Sequence, residues 1–407
     1  MTMMKSSNTE WLGDIPAEWD VAQIGNYYEL RNEKVSDYDF EPLSVTMKGI
    51  VPQLATAAKS DDHSNRKLVK KGDFVINSRS DRRGSCGISP LDGSVSLINI
   101  VMEPRGEMNP QYYNWLFHTE QFADEFYKWG HGIVDDLWTT RWQEMKKILI
   151  VAPSPDEQQA IADYLDETCS KIDEIIAEAK ASIDEYEKLK QATIDENILG
   201  YDSVHIKLRQ LGSLKNGLNF SHSDDVANIK FLGVGCFKDN MILSEVDDFA
   251  DEHIDFEISE EYLLSNGDIV FVRSNGSKEL VGRSIMVENI DYPVTFSGFC
   301  IRFRNMHIEL VDNRFLLYYF RTTHFKQSLL KYSNDSTNIN NLNQEMLNAI
   351  RINAPVIAEQ KLLVKKMEEQ VFVFDSLIAE KESLINDLEA YKKSLIYEVV
   401  TGKRRVV

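Results

Sequence analysis

The feature that most constrains this chain is a long helical segment that occurs twice. Residues 152–200 align without a gap with residues 354–402, and 15 of the 49 aligned positions are identical. Each copy has a proline before its apolar periodicity begins and a glycine where it ends, which are start and stop signals of a helix. The sequence therefore predicts two matched helices, each about 65 Å long at a rise of 1.5 Å per residue.

Apolar side chains in both copies recur in steps of four and three residues, the spacing of a coiled-coil seam. We therefore predict that the two helices pack against each other and run antiparallel. The alternative is that each is a single amphipathic helix lying on a globular core. The predicted seam positions are Leu165, Cys169, Ile172, Ile176 and Ile183 in the first copy and Met367, Val371, Phe374, Ile378 and Ile385 in the second.

The segments between the helices also repeat, more faintly. "KKGDFVINSR" (70–79) resembles "SNGDIVFVRS" (265–274), and each reads as a Gly-Asp turn that leads into an apolar strand. The fold class predicted is α+β: two mixed α/β domains separated by two long antiparallel helices, in a pseudo-twofold, quasi-circular repeat. The expected boundaries are 1–152 and 201–354 for the two domains, and 153–200 and 355–407 for the helices.

Aromatic runs occur at matching places in the two domains, "NPQYYNWLF" (109–117) and "DNRFLLYYF" (312–320). Such runs can stack on nucleic-acid bases. Because they have helical spacing and recur in both halves, core packing is the favoured interpretation.

The overall charge argues against indiscriminate nucleic-acid binding. The formal net charge is −20, whereas attraction to phosphates needs clustered Lys and Arg. One stretch departs from this average, since residues 66–83 hold seven basic side chains and two acidic ones. A local positive patch is therefore compatible with an acidic chain.

Composition also bears on location and chemistry. The four cysteines are far apart and are expected to be reduced structural thiols, and no apolar run is long enough to span a membrane, so we expect a cytoplasmic protein. The chain has no Gly-rich cofactor loop, no Walker-type motif and no zinc-like His or Cys spacing. An independent enzyme is not expected, and neither a metal nor a cofactor is expected in this chain.

At this point the residues resemble a known family. The opening "WLGDIPAEWDVAQIG", the strand and turn "KKGDFVINSRSDRRGSCGIS", the sequence "NLNQEMLNAIRINAP" and the two helices that begin with "EQ" and contain "IAE" are similar to the specificity subunit of type I restriction-modification systems. The resemblance covers nearly the whole chain. Its specificity comes from the order and duplication of the motifs.

The resemblance implies two target-recognition domains, each reading one half of a bipartite double-stranded DNA sequence, with the paired helices acting as a spacer that docks the methyltransferase subunits. It also implies two modification subunits, which bind S-adenosylmethionine and methylate adenine N6, and restriction subunits that use ATP and Mg to translocate and cleave DNA. All of that chemistry would belong to the partner subunits.

Base edges and phosphates are contacted by Arg, Lys, Asn, Gln and Ser side chains. The alternatives are that the arginines of the first domain simply pair with Asp81 and its neighbours, and that the asparagine-rich stretch of the second domain is a capped polar loop. The candidates for DNA contact are Asn77, Arg79, Ser80, Arg82 and Arg83 in the first domain and Arg273, Ser274, Asn275, Lys278, Asn338, Asn340, Asn341 and Gln344 in the second.

A function of another class stays open on the sequence. The first helix is strongly acidic, with 13 acidic and 4 basic residues between positions 151 and 200. A coiled-coil scaffold that holds other proteins and reads no DNA would also fit this charge.

Overall fold

The computed structural model describes residues 3–56, 63–132, 138–199, 204–220, 226–238, 241–274, 280–331 and 341–406. The chain divides into two compact units. Unit 1 comprises residues 1–180 and 382–407, and unit 2 comprises residues 181–381. Each unit therefore contains one segment of both long helices, which are α5 (Pro155–Leu199) and α10 (Ile357–Val400).

The other elements of unit 1 are short strands and helices. They are β1 (Met4–Ser6), β2 (Asp14–Pro16), β3 (Asp20–Gln23), α1 (Ile24–Tyr27), β4 (Tyr28–Leu30), β5 (Lys34–Val35), β6 (Leu43–Thr46), β7 (Gly49–Pro52), β8 (Arg66–Val69), β9 (Phe74–Asn77), β10 (Cys86–Ile88), β11 (Gly93–Ser96), β12 (Asn99–Pro104), α2 (Pro110–Phe117), α3 (Glu120–Lys128), α4 (Trp142–Met145) and β13 (Leu149–Ala152).

Unit 2 repeats much of this order. Its elements are β14 (Val204–Lys207), α6 (Leu208–Leu211), β15 (Gly212–Asn216), β16 (Ile229–Leu232), β17 (Ile242–Leu243), β18 (Ala250–Glu252), β19 (Ile269–Val272), β20 (Ser284–Val287), β21 (Val294–Phe296), β22 (Cys300–Asn305), α7 (Asn313–Tyr319), α8 (Thr323–Leu330), α9 (Gln344–Ala349) and β23 (Arg351–Ala354).

Each unit is built around one antiparallel sheet whose central strand follows the predicted Gly-Asp turn. The strand order is β10-β9-β12-β4 in unit 1 and β15-β22-β19-β20-β17 in unit 2, where the edge strand β17 pairs in parallel. All four residues of β9 and of β19 are buried, as expected for apolar runs covered on both faces. Gly72 and Gly267 begin the two turns with φ of 94° and 87°, a conformation that favours glycine.

A second, two-stranded ribbon joins each unit to its long helices. It consists of β3 and β13 in unit 1 and of β14 and β23 in unit 2, and both pairs are antiparallel. Each ribbon is followed by a four-residue helix, α1 or α6. The two units therefore share their plan as well as their motifs.

The aromatic runs are buried, which confirms the core-packing interpretation. In α2 the buried side chains include Tyr112, Tyr113 and Phe117, and in α7 they include Phe315 and Tyr319. These rings fill the space beneath the central sheets and are not available for stacking on bases.

The predicted seam positions are also enclosed. Most are buried, and Ile183 and Phe374 are half-buried. Within unit 1, Lys392 bonds to Asp173 at 2.6 Å and Lys180 lies 3.9 Å from Glu389, so partner numbers fall as position numbers rise. The long helices therefore run antiparallel there.

Unit 2 shows the same direction. Asn197 donates to Gln370 across 3.3 Å, and Lys190 pairs with Asp375. The predicted fold class, mixed α/β with two long antiparallel helices, is confirmed. At its C-terminal end α10 is followed by Gly402 with φ of 73°, the left-handed residue that commonly ends a helix; the equivalent Gly200 lies outside the described residues.

Candidate nucleic-acid interface

The basic stretch of residues 66–83 does not form one continuous patch. Arg66 is only 8% exposed and donates to the Ser94 hydroxyl at 2.8 Å. Lys67 donates to the Asn99 carbonyl at 2.6 Å, and burial lowers the pKa of its ammonium. Both cations of β8 are therefore used inside the fold.

The remaining basic residues are divided by β9. Lys70 and Lys71 are exposed before the strand, whereas Arg79, Arg82 and Arg83 follow it. Four strand residues span about 13 Å, so these groups lie at opposite ends of the strand. The run of positive charge in the sequence thus becomes two separate surfaces.

The loop after β9 carries the predicted arginines of unit 1. Arg79 pairs with Asp81 at 3.3 Å, and Arg82 lies 3.8 Å from the same carboxylate with 69% of its side chain exposed. Arg83 pairs with Asp124 and is half exposed. The arginines of this loop therefore do pair with nearby carboxylates, as the alternative interpretation expected. Arg82 has the longest of these contacts and the most exposed side chain, so it is the arginine best able to reach a ligand.

Two other predicted residues of this loop shape its backbone. Asn77 is 7% exposed, and its side-chain oxygen accepts from the Arg79 amide at 3.0 Å, so this amide holds the turn. Ser80 is half-buried, and its backbone N–H donates to the Trp138 carbonyl at 3.1 Å. These contacts place residues 138–140 beside the arginine loop.

The corresponding place in unit 2 brings together residues far apart in the sequence. The Leu342 amide donates to the Arg273 carbonyl at 2.8 Å, which sets the exposed Asn341 beside Arg273 and the half-buried Ser274. Arg273 also donates to the Gly298 carbonyl at 3.4 Å. Gln344 is the half-buried first residue of α9, whereas Asn275, Lys278, Asn338 and Asn340 lie outside the described residues.

The backbone contacts of the two loops agree with the ungapped alignment of residues 70–79 with residues 265–274, in which Arg273 stands opposite Ser78. Thr140 donates to the Ser78 carbonyl at 3.0 Å, just as Leu342 donates to the carbonyl of Arg273. Arg273 therefore corresponds to Ser78, one residue before Arg79. Because successive strand residues point to opposite faces, the two arginines leave the sheet differently.

Residues 138–140 of unit 1 were not among the predicted contacts. Arg79 and Thr139 form an isolated β-bridge, so this segment lines the arginine loop as residues 341–343 line Arg273. The available sequence signal was the dissimilarity between "GIVDDLWTTRWQEM" and "STNINNLNQEMLN".

The described residues offer neither a metal centre nor an activated thiol. No group of three or more His, Cys, Asp or Glu side chains in the described ranges is placed to hold a metal ion. All four cysteines are buried and unpaired, and burial raises the pKa of the Cys169 thiol to about 11 and that of Cys86 and Cys300 further. A thiol with such a pKa is a poor nucleophile at neutral pH.

No helix among the described residues is both long and apolar enough to cross a bilayer.

Comparison with known proteins adds an independent line of evidence. A family model described as "Type I restriction modification DNA specificity domain" matches residues 202–390. The type I restriction enzyme MjaVIII specificity subunit of Methanocaldococcus jannaschii is 25% identical over 96% of this chain and 94% of its own length. The EcoKI specificity subunit of Escherichia coli is 27% identical over 36% of this chain and 31% of its own length.

Solved structures agree in fold. A chain from a study of complex assembly and conformational transition of the type I R-M system matches with a TM-score of 0.75 at 13% identity, covering 96% of this chain and 99% of that one. The HsdS subunit from Thermoanaerobacter tengcongensis matches with a TM-score of 0.55 at 14% identity, covering 98% of this chain and all of that one. From the duplicated motifs, the shared plan of the two units and these similarities, the chain resembles the type I restriction-modification specificity subunits over nearly its whole length.

Proposed function

We propose that this chain is the DNA sequence-specificity subunit of a type I restriction-modification complex, and that each unit reads one half of a bipartite DNA target. The observation that carries the proposal is that both units hold their long helix by the same buried side chain. Gln158 on α5 is 1% exposed, accepts from the Asn109 amide at 2.8 Å and donates to the Pro153 carbonyl at 2.8 Å.

Gln360 on α10 makes the equivalent contacts in unit 2. It is fully buried, accepts from the Asp312 amide at 2.8 Å, and donates to the carbonyls of Pro355 at 2.7 Å and Leu310 at 2.9 Å. Asn109 and Asp312 cap α2 and α7, the helices that pack in the two cores. Each recognition loop is therefore carried by a core that is tied to a long helix, as a reader of fixed half-site spacing requires.

The helices would serve as the spacer and as the docking site for the modification subunits. Their ion pairs repeat with the same period as the sequence, because Asp173 and Lys190 in the first copy correspond to Asp375 and Lys392 in the second. Lys392 bonds to Asp173, and Lys190 to Asp375. Such reciprocal pairing supports a symmetric spacer in which neither copy of the helix has a separate task.

The catalytic steps would lie in partner subunits. Methylation of adenine N6 needs S-adenosylmethionine, and translocation and cleavage need ATP and Mg, all of which we assign to the modification and restriction subunits. This chain would contribute recognition, which requires groove contacts and phosphate contacts and no reacting group of its own.

Mapping the methylated motif of the complex tests the proposal. We expect two short specific sequences separated by a nonspecific gap of constant length. The Arg82→Ala variant should relax one half of the motif and the Arg273→Ala variant the other, with the gap unchanged. A continuous palindromic motif, or a single variant that relaxes both halves, would contradict the proposal.

A scaffold without DNA reading is the second candidate, and the observation that favours it is the acidic surface of the first helix, where residues 151–200 carry 13 acidic and 4 basic side chains. Titrating DNA with the assembled complex at two salt concentrations separates the two functions. Phosphate contacts make affinity fall steeply with salt, whereas a scaffold would bring no salt-dependent, sequence-specific binding to its partners.

A further inference from the structure

The outer face of the β14–β23 ribbon in unit 2 carries positive charge that the fold does not use. Ile206 and Ile352 point into the core of unit 2, and Ile352 is completely buried. Because side chains alternate along a strand, Lys207 and Arg351 lie on the opposite face, together with His205. Lys207 and Arg351 are also direct cross-strand partners.

Two like charges placed directly opposite each other destabilise an antiparallel pair. Arg209, on the helix that follows β14, adds a third cation at the rim of the same concavity, which has a volume of about 430 Å³. In the described part of the chain, none of these three side chains forms an ion pair. The lining of the concavity includes one carboxylate, that of Glu345, so the concavity keeps a net positive charge.

A structural explanation for the three cations is that they stabilise the C-terminal end of α9, where positive charge is favourable. The ribbon of unit 1 separates this helix-end role from the three positions. There Gln23 lies opposite Leu149 in the same register, and Gly25 stands at the position of Arg209. The cations at the end of α4 are Lys146 and Lys147, which directly follow that helix. Positive charge at the helix end can therefore come from residues next to the helix itself, and the ribbon and short helix form without any of the three charges.

The position of the cluster indicates its ligand. Helix α9 begins next to Asn341 and Arg273 and ends at the cluster. Its six residues span about 9 Å, which is roughly the axial rise of three nucleotides on one DNA strand. A duplex contacted at the Arg273 loop would bring its flanking backbone to the far end of α9.

The lining favours a polyanion over a protein partner. Protein interfaces have apolar or aromatic centres that are depleted of charge, whereas the concavity is lined by Lys207, Arg209, Arg351, Glu345, Asn348 and Ala349. Guanidinium groups also match phosphate oxygens in geometry. We propose that Lys207, Arg209 and Arg351 bind the DNA phosphate backbone beside the half-site read by unit 2, an inference that rests on the proposed function.

The test compares DNA binding by the assembled complex containing the wild-type chain with that of a Lys207→Gln, Arg209→Gln, Arg351→Gln variant. Three lost phosphate contacts should lower the salt slope of the binding constant by about 2.7, so that the wild type loses about 40-fold more affinity than the variant between 50 and 200 mM salt. Cognate and non-cognate DNA should be affected alike, and the methylated motif should stay the same.

The matched control removes three other exposed cations of unit 2, Lys238, Lys326 and Lys331, which lie outside the concavity. It changes the net charge equally, and we expect a salt slope near that of the wild type. The single variant Arg209→Gln alters one exposed side chain and should lower the salt slope by about 0.9. It keeps the inference testable if the triple variant does not fold.

An unchanged slope in the triple variant, or an equal change in the control, would overturn the inference. The inference would also be overturned if the triple variant lost partner subunits while the complex that still assembled kept the wild-type salt slope. That result would assign the surface to protein docking. Failure of the proposed function is distinguishable, since it would appear in the wild-type complex as the absence of sequence-specific binding.

Discussion

The two units of this chain share the parts that hold a recognition loop and differ in the loop itself. Both have a buried glutamine that ties the core to a long helix and a central strand that follows a Gly-Asp turn. After that strand, unit 1 continues with arginines paired to Asp81 and Asp124, whereas unit 2 sets Arg273 beside Asn341. The two loops therefore present different side chains on supports of the same plan.

The buried carboxylate of the Gly-Asp turn is present in both units but is paired differently in each. Asp73 is paired with Arg31, which also binds Glu103, and Asp268 is paired with Arg304 on β22. Arg31 follows β4, whereas Arg304 lies on β22, yet both carboxylates are nearly inaccessible to solvent. The turn requires a charge partner and a hydrogen-bond acceptor, and the fold accepts more than one source for the partner.

The largest effect is expected at the glutamine anchors. Gln360→Ala would leave one buried N–H and two carbonyls without this partner and should lower the free energy of unfolding by about 3–4 kcal/mol. Gln158→Ala loses one hydrogen bond fewer and should lower it by about 2–3 kcal/mol. Urea unfolding of the purified chain measures both. Gln159→Ala is the control at a neighbouring position, because it removes only exposed hydrogen bonds, to Asn109 and Asp163 at 2.7 Å each, and should cost less than about 1 kcal/mol. Equal costs for the two anchors would contradict the difference in their contacts.

An intermediate effect is expected in the loops. Arg82→Ala and Arg273→Ala should each weaken binding of cognate DNA by about 1–3 kcal/mol, which is roughly 5- to 150-fold, if each contacts a base edge. Arg79→Ala should cost less than Arg82→Ala, because the Arg79 side chain is held closer to Asp81 and is less exposed. Binding titrations of the assembled complex on cognate DNA provide the measurement, and the reverse order would assign recognition to Arg79.

The smallest effect is expected for the helix ion pairs. Double-mutant cycles at Asp173–Lys392 and Asp375–Lys190 should each give a coupling of about 0.5 kcal/mol that decreases with salt, since exposed pairs contribute little. The two couplings should agree, because the lysines are 23% exposed in both pairs. The longer pair Lys180–Glu389 serves as a weak reference, and a large inequality between the repeated pairs would show that the two ends of the spacer are not equivalent.

Much of the scaffold could be predicted from the sequence because its signals are periodic and local. The seam residues Leu165 and Met367 follow from heptad spacing and are completely buried. The Gly-Asp turns at Asp73 and Asp268 follow from local turn chemistry. The α+β class with two long antiparallel helices was accessible for the same reason.

The candidate recognition surface was less predictable because side-chain exposure depends on distant contacts. Arg66 looked like part of a basic patch, yet its guanidinium is buried against Ser94 on another strand. The cluster of Lys207, Arg209 and Arg351 was missed, since 142 residues of sequence separate Arg209 from Arg351.

By itself, the sequence determined that the chain is a duplicated unit with two long helices, because duplication and heptad spacing persist in the order of residues whatever the fold. Tertiary structure alone decided which cations face solvent and which loop segments meet. Those outcomes depend on strand register and on hydrogen bonds between distant backbone groups, such as Leu342 to Arg273, and no local pattern specifies them.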